Sequence, residues 1–125
     1  METFIEQNKD RLEREKQTWI GVDFDGTLAE YHHERDPEHV GAPIGPMIER
    51  VRNWLGRGCD VRIFTSRVHP TAPDPLTNAR MIQAFCLKHF NTILPITYCK
   101  DPQMSELWDD RAVGVKTNIG EPVTK

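Results

Sequence analysis

A chain of 125 residues with 38% hydrophobic and 28% charged side chains is a single-domain length, able to hide roughly two thirds of the surface its unfolded form exposes. That composition excludes a disordered chain, and no apolar run reaches the roughly 18 residues that a membrane span needs. The 16 Lys and Arg against 19 Asp and Glu leave a net charge of -3, which gives no overall attraction to a nucleic-acid backbone or an anionic membrane. Met1 to Asp10 is polar, without the basic and then apolar pattern of a secretory leader, so the expected location is cytoplasmic. Cys59, Cys86 and Cys99 are odd in number and widely spaced, which argues for reduced thiols over a disulfide framework or a zinc knuckle, and for buried structural cysteines over a reactive Cys99.

From Glu2 to Gln17 opposite charges recur three or four residues apart with few apolar residues, predicting a surface helix over 1–17 at the edge of a domain that occupies 18–125. Trp19 to Val22 is a short apolar run ending in Asp23-Phe24-Asp25-Gly26-Thr27, a buried strand entering a turn. Ala29 to Pro46, rich in histidine, proline and glycine, has neither helical nor strand periodicity and reads as a long loop. Met47, Ile48, Val51, Trp54 and Leu55 recur at helical spacing before Gly56 and Gly58. Val61 to Thr65 is a second strand. A proline-rich loop, Val68 to Pro75, opens a helix carrying Ala79, Ile82, Phe85, Cys86 and Phe90. Leu94 to Tyr98, Glu106 to Trp108 and Ala112 to Val115 complete the series as strands three, four and five. Strands alternating with helices predict a parallel sheet with helices on both faces.

The acidic residues sit where these strands end. Asp23 and Asp25 close strand one, Thr65 closes strand two, Lys100 follows strand three, and Asp109-Asp110 close strand four. In an open parallel sheet, ligands bind in the crevice outside the carboxyl ends of the strands. Several carboxylates gathered there repel one another unless a cation intervenes, and an all-oxygen set suits Mg²⁺ shared with a substrate phosphate. A hydroxyl and a lysine then remain for phosphate oxygens, the set that phosphoryl transfer needs.

Asp23-Phe24-Asp25-Gly26-Thr27-Leu28 resembles the first motif of the haloacid dehalogenase superfamily of aspartyl-phosphate hydrolases. Val61 to Thr65 is similar to that family's second motif, Lys100 to its third and Asp109-Asp110 to its fourth, in the same order over about residues 18 to 118. The resemblance implies a three-layer Rossmann-like fold with a central parallel sheet in the order 5-4-1-2-3. It also implies Asp23 as nucleophile, Asp25 as general acid and base, and Thr65 and Lys100 as catalytic groups holding the phosphoryl oxygens. Ser66 and Arg67 join Thr65 and Lys100 as substrate-binding candidates, and Asp23, Asp25 (through its carbonyl), Asp109 and Asp110 are the Mg²⁺ candidates. An acid two residues beyond the nucleophile separates phosphatases from ion-pumping ATPases and dehalogenases. Neither interval that houses a cap in the family has room for a large cap domain here, as in members that admit phosphates on larger molecules.

Blander readings exist for each feature. Asp-Gly is a common turn pair, a threonine ending a strand and an exposed lysine are everyday features, and Asp109-Asp110 alone fits a solvated turn. Arg67 is expected to reach substrate or to pair with Asp109 or Asp110, and Arg111 to fold back on nearby acids. The cluster Tyr31-His32-His33-Glu34-Arg35-Asp36 with Glu38 and His39 has no known zinc spacing, and a loop over the site accounts for its composition. Trp54, Phe64, Phe85 and Trp108 are expected in the core, Trp19 partly so. The expected activity is Mg²⁺-dependent phosphomonoester hydrolysis on a phosphorylated partner. A nucleic-acid 3′-phosphatase or nucleotidase, which the charge does not favour, and a non-catalytic binding module are the alternatives.

Overall fold

Two strands rich in β-branched residues build the centre of the sheet. The structure, a computed structural model, describes residues 17–32 and 39–123, so the helix expected over 1–17 lies outside the described residues except for its last position. In β1, Trp19–Asp23, and β2, Asp60–Phe64, parallel pairing sets Ile20 opposite Val61 and Val22 opposite Ile63. Alternate residues of a strand face one side, so these four side chains form a single apolar face, and all four are buried.

Two helices cover that face. Helix α1, Gly45–Gly56, begins with Pro46 in its first turn, where the missing N–H costs nothing, and turns Met47, Ile48 and Val51 inward. Helix α2, Pro75–Phe90, does the same with Pro75 and buries Ile82, Phe85 and Cys86 at helical spacing. Phe24, Leu28 and Leu94 fill the space between helices and sheet, and the Phe24 ring meets Phe85 edge-on at 5.0 Å. The short β3, Ile96–Thr97, pairs with β2, and β4, Met104–Trp108, pairs with the other side of β1. All four strands are parallel, in the order β3-β2-β1-β4. The result is a Rossmann-like α/β fold.

The sheet has four strands among the described residues, and its order, 4-1-2-3 when read from the β4 edge, departs from the expected 5-4-1-2-3 in lacking the fifth strand. Ala112 to Val115 is exposed, and Val115 makes only an isolated antiparallel bridge to Pro122. A parallel fifth strand needs a crossover of about a dozen residues, whereas only Asp109 to Arg111 separate this segment from β4. Nor do the described helices occupy both faces, as a three-layer fold would require. The connection from β3 to β4 is 98–103, too short to hold a crossover helix.

On the face opposite the core, Asp101 from that connection meets side chains of β1 and β2. Trp19, expected only partly buried, is 1% exposed, and its Nε1 donates to Asp101 Oδ1 at 2.8 Å. The Arg62 guanidinium lies 4.8 Å above the Trp19 ring and pairs with Asp60 at 2.9 Å. Gly21 leaves the space this needs, since a Cβ there would stand 3.1 Å from Trp19 Cζ3 and 3.3 Å from Leu107 Cδ1. Phe85 is buried as expected, while Trp54, Phe64 and Trp108 are half-buried.

Ile63→Ala, at a fully buried position, is expected to cost about 2–5 kcal/mol of stability. Ile93→Ala, at a half-exposed one, is expected to change stability by no more than about 0.5 kcal/mol. Urea denaturation of the two variants checks the assignment of the core.

Candidate active site

Parallel pairing brings three strand ends to one level. Asp23 stands opposite Phe64, and Val22 opposite Trp108, so Thr65 and Asp109, each one residue further on, flank Asp23. Asp23, Asp25, Thr65, Ser66, Arg67, Asp109 and Asp110 line a pocket of about 590 Å³, with Tyr31, Phe64, Arg111 and Ala112 completing its wall. One carboxylate oxygen from each of Asp23, Asp109 and Asp110 lies within 4.8 Å of the others.

The turn after β1 arranges these groups. The carbonyl of Phe24 accepts from the N–H groups of Leu28 at 2.9 Å and Ala29 at 3.0 Å, and Gly26 N–H donates to Ala29 O at 2.7 Å. Gly26 has a φ of +84°, and a Cβ on it would lie 2.5 Å from Asp110 Oδ2, so this glycine supplies both the turn and the room for Asp110. The Thr27 hydroxyl stands 3.3 Å from Asp23 Oδ2 and 3.3 Å from Asp110 Oδ1 and accepts the Asp110 N–H at 3.1 Å. A hydroxyl has one proton and serves one of these carboxylates at a time. Asp109 is oriented by the backbone N–H of Arg111, which donates to its Oδ1 at 2.8 Å.

The electrostatic consequence falls on Asp23. Burial first, then its hydrogen bond with Asp110 and the negative charges of Asp109 and Asp110, push its carboxyl from the ordinary 3.8 up to about 8, against a smaller opposing effect of the Phe24 backbone. Among the described residues no Lys or Arg side chain forms an ion pair with any of the three acids. The set is therefore acceptor-rich and short of positive charge, and it fits a hard divalent cation held by oxygen ligands.

Asp25 is treated differently. Arg67 Nε donates to its Oδ2 at 2.7 Å and Arg67 Nη2 to its Oδ1 at 2.9 Å, a two-pronged pair. Arg67 thus pairs with Asp25, not with Asp109 or Asp110 as its position in the sequence suggested, because the tight turn points Asp25 toward the end of β2. Arg67 Nη2 also donates to the His39 carbonyl at 2.8 Å. Thr65 Oγ1 accepts the Arg67 N–H at 3.1 Å, so the hydroxyl proton of Thr65 is available to another acceptor. Asn78, which sequence reasoning missed, is 5% exposed and donates from Nδ2 to the carbonyls of Arg67 at 2.9 Å and Pro73 at 3.0 Å, tying this corner to α2. Only its place among apolar helical positions marked it. Thr27 and Gly26 belong to the quoted motif, but their bridging and spacing roles follow from the position of Asp110, which local sequence does not specify.

Lys100 is not brought to the pocket. It is exposed and lines a separate depression with Asp101, Pro102 and Met104 to Leu107. β3 lies two strands away from β1, and Thr97 Oγ1 accepts the Cys99 N–H at 3.1 Å as the chain turns away toward the opposite face. Arg111 lines the pocket, but its backbone rather than its guanidinium serves Asp109. The histidine-rich loop is pinned at its base by Glu30 N–H to Ala42 O and Ile44 N–H to Leu28 O, both 2.8 Å. Tyr31 reaches the pocket wall, His32 pairs with Glu30 at 3.3 Å, and 33–38 lie outside the described residues. Cys86 is buried as expected, Cys59 is half-buried, and Cys99, expected to be buried, is exposed in the connection that leaves β3.

No protein-family model matches this chain, and no curated protein matches it. Among solved structures, a conserved protein from Bacteroides thetaiotaomicron is similar to it, with a TM-score of 0.52 at 18% sequence identity over 78% of this chain and 79% of that one. The likeness shows a shared α/β fold.

Asp23 makes the metal-free protein sensitive to pH. Its folded carboxyl titrates near 8 and its unfolded one near 3.8, so between those values the folded state keeps a proton that the unfolded chain has released. Stability from this group is full at acid pH and is lost as pH rises toward 8. In EDTA, thermal denaturation from pH 4 to 8 is expected to show the wild type losing stability relative to Asp23→Asn, which cannot titrate.

Proposed function

We propose that this chain is a Mg²⁺-dependent phosphomonoester hydrolase that works through an aspartyl phosphate on Asp23. The observation that carries this reading is the meeting of Asp23, Asp109 and Asp110 within 4.8 Å beside Asp25 and Thr65, at the carboxyl edge of a parallel sheet. The resemblance of Asp23 to Leu28 and of the later segments to haloacid dehalogenase motifs supports it independently. Asp23, Asp109 and Asp110, with the Asp25 carbonyl, would hold the Mg²⁺, which when bound supplies charge neutralisation for nucleophile and phosphoryl oxygens.

In the first step a carboxylate oxygen of Asp23 attacks phosphorus, and the bond to the leaving oxygen breaks as Asp25 gives that oxygen a proton. The hydroxyl of Thr65 donates to a phosphoryl oxygen. In the second step a water attacks the same phosphorus and yields its proton to Asp25, and the bond from phosphorus to Asp23 breaks, releasing inorganic phosphate and the free carboxylate. Lys100 has no place on the pocket wall in this reading. Arg111, which is exposed there and forms no ion pair among the described residues, is the cation that faces the phosphate.

Asp23→Asn is expected to abolish turnover and phosphoenzyme, since an amide is a poor nucleophile. Asp25→Asn keeps the nucleophile but loses proton transfer, about 10²- to 10⁴-fold in rate. With p-nitrophenyl phosphate, whose leaving group needs little acid help, that variant is expected to accumulate phosphoenzyme and stall. Rapid-quench labelling checks both, and phosphate trapped on Asp23→Asn contradicts the mechanism.

Metal binding gives a separate test. Asp109→Asn retains shape and removes one charge, so calorimetry is expected to find weaker Mg²⁺ binding with the fold intact by circular dichroism. Unchanged affinity would remove Asp109 from the ligand set. A panel of nucleotide, sugar phosphate, phosphopeptide and 3′-phosphorylated oligonucleotide then separates hydrolysis of small esters from nucleic-acid end processing. A binding module lacking catalysis hydrolyses none of them.

A further inference from the structure

We infer that Arg67 is a positioning residue, holding the Asp25 carboxylate against the loop end at His39 rather than binding the substrate phosphate itself. The role of Asp25 in this inference rests on the phosphatase reading above. The contact rests on geometry alone.

Arg67 is 8% exposed although it borders the pocket. Its Nε and Nη2 engage both oxygens of Asp25, and Nη2 also engages the His39 carbonyl. Its backbone is fastened at both ends, N–H to Thr65 Oγ1 and carbonyl to Asn78 Nδ2. The guanidinium carbon stands 5.8 Å from the centre of the fully buried Phe24 ring, which precedes Asp25 in the chain. To reach a phosphate, this side chain would break two charge-assisted hydrogen bonds and leave a carboxylate with 20% exposure without its guanidinium.

Asp25, for its part, must present an oxygen to two different atoms in turn, the leaving oxygen and the attacking water. A planar fork fixes the plane of a carboxylate as well as its position, which a lysine ammonium does not. The same fork separates Asp25 from the three acids gathered at Asp23, although only one residue lies between the two in sequence. Because Nη2 is shared with the His39 carbonyl, the backbone at His39 is registered against the same carboxylate.

The test compares wild type, Arg67→Met, Arg67→Lys, Asp25→Ala and the Arg67→Met/Asp25→Ala double variant, with p-nitrophenyl phosphate and Mg²⁺. The exchange of the Arg67 Nε proton, which goes to Asp25 and not to His39, is followed by ¹⁵N NMR in wild type and Asp25→Ala. Arg67→Met is expected to lower kcat by about 10²-fold, the scale of a misplaced catalytic group, with KM changed by no more than about two-fold. Arg67→Lys is expected not to restore kcat, and Arg67→Met is expected to cost nothing further once Asp25 is alanine. The Nε proton is expected to be protected in wild type and to exchange freely in Asp25→Ala.

A raised KM at unchanged kcat makes Arg67 a direct phosphate ligand and overturns the inference. So does a penalty of full size in the Asp25→Ala background, or a proton signal indifferent to Asp25. If Arg67→Met does not fold, the signal in Asp25→Ala and the kcat of Arg67→Lys decide. Wild-type protein that hydrolyses no ester, yet shows the Asp25-dependent signal, overturns the phosphatase reading and upholds the clamp.

Discussion

Parallel pairing of β1 on both of its sides is the constraint from which the pocket follows. Because neighbouring strands run the same way and stand in register, their carboxyl ends arrive at one level, and side chains distant in sequence become neighbours without any loop reaching across. Asp23 and Asp109 are 86 positions apart in the chain and are separated in the sheet by one strand spacing. The apolar face of Ile20, Val22, Val61 and Ile63 holds that register in turn, since a slip by one residue would expose all four.

The convergence carries an electrostatic penalty, and the structure distributes it unequally. Asp23 sits partly buried among acids and keeps a proton well above the ordinary carboxylate range. Asp25, two residues on, has its oxygens matched by the Arg67 guanidinium. Two identical side chains in one short motif thus acquire different chemical characters from their neighbours. The turn around the Phe24 carbonyl makes the division possible by sending alternate side chains to different partners.

Short connections account for the departures from the expected architecture. Between β3 and β4 the chain has length only for an extended crossing, so Asp101, Trp19 and Arg62 meet on the face that a crossover helix would otherwise cover. Lys100 is carried along that crossing and away from the acids. After β4 only three residues precede Ala112 to Val115, too few for the crossover that a parallel fifth strand needs, and Val113 and Val115 are exposed. Arg111 stays at the pocket in consequence, one residue beyond the acid pair.

Short apolar runs and helical spacing of Met47, Val51, Ile82 and Phe85 are properties of the local chain, and from them the alternation of strands and helices and the parallel sheet were legible. So was the gathering of Asp23, Asp25, Thr65 and Asp109-Asp110 at one edge, because strand ends in a parallel sheet meet regardless of detail. Which strands stand beside β1, which acid meets the only buried arginine among the described residues, and where Lys100 goes depend on loop lengths and on contacts between residues dozens of positions apart. A hydroxyl such as that of Thr27, or an amide such as that of Asn78, acquires a function only when a distant partner is brought to it. Those placements were decided by the tertiary structure, through packing and charge pairing that have no local signature.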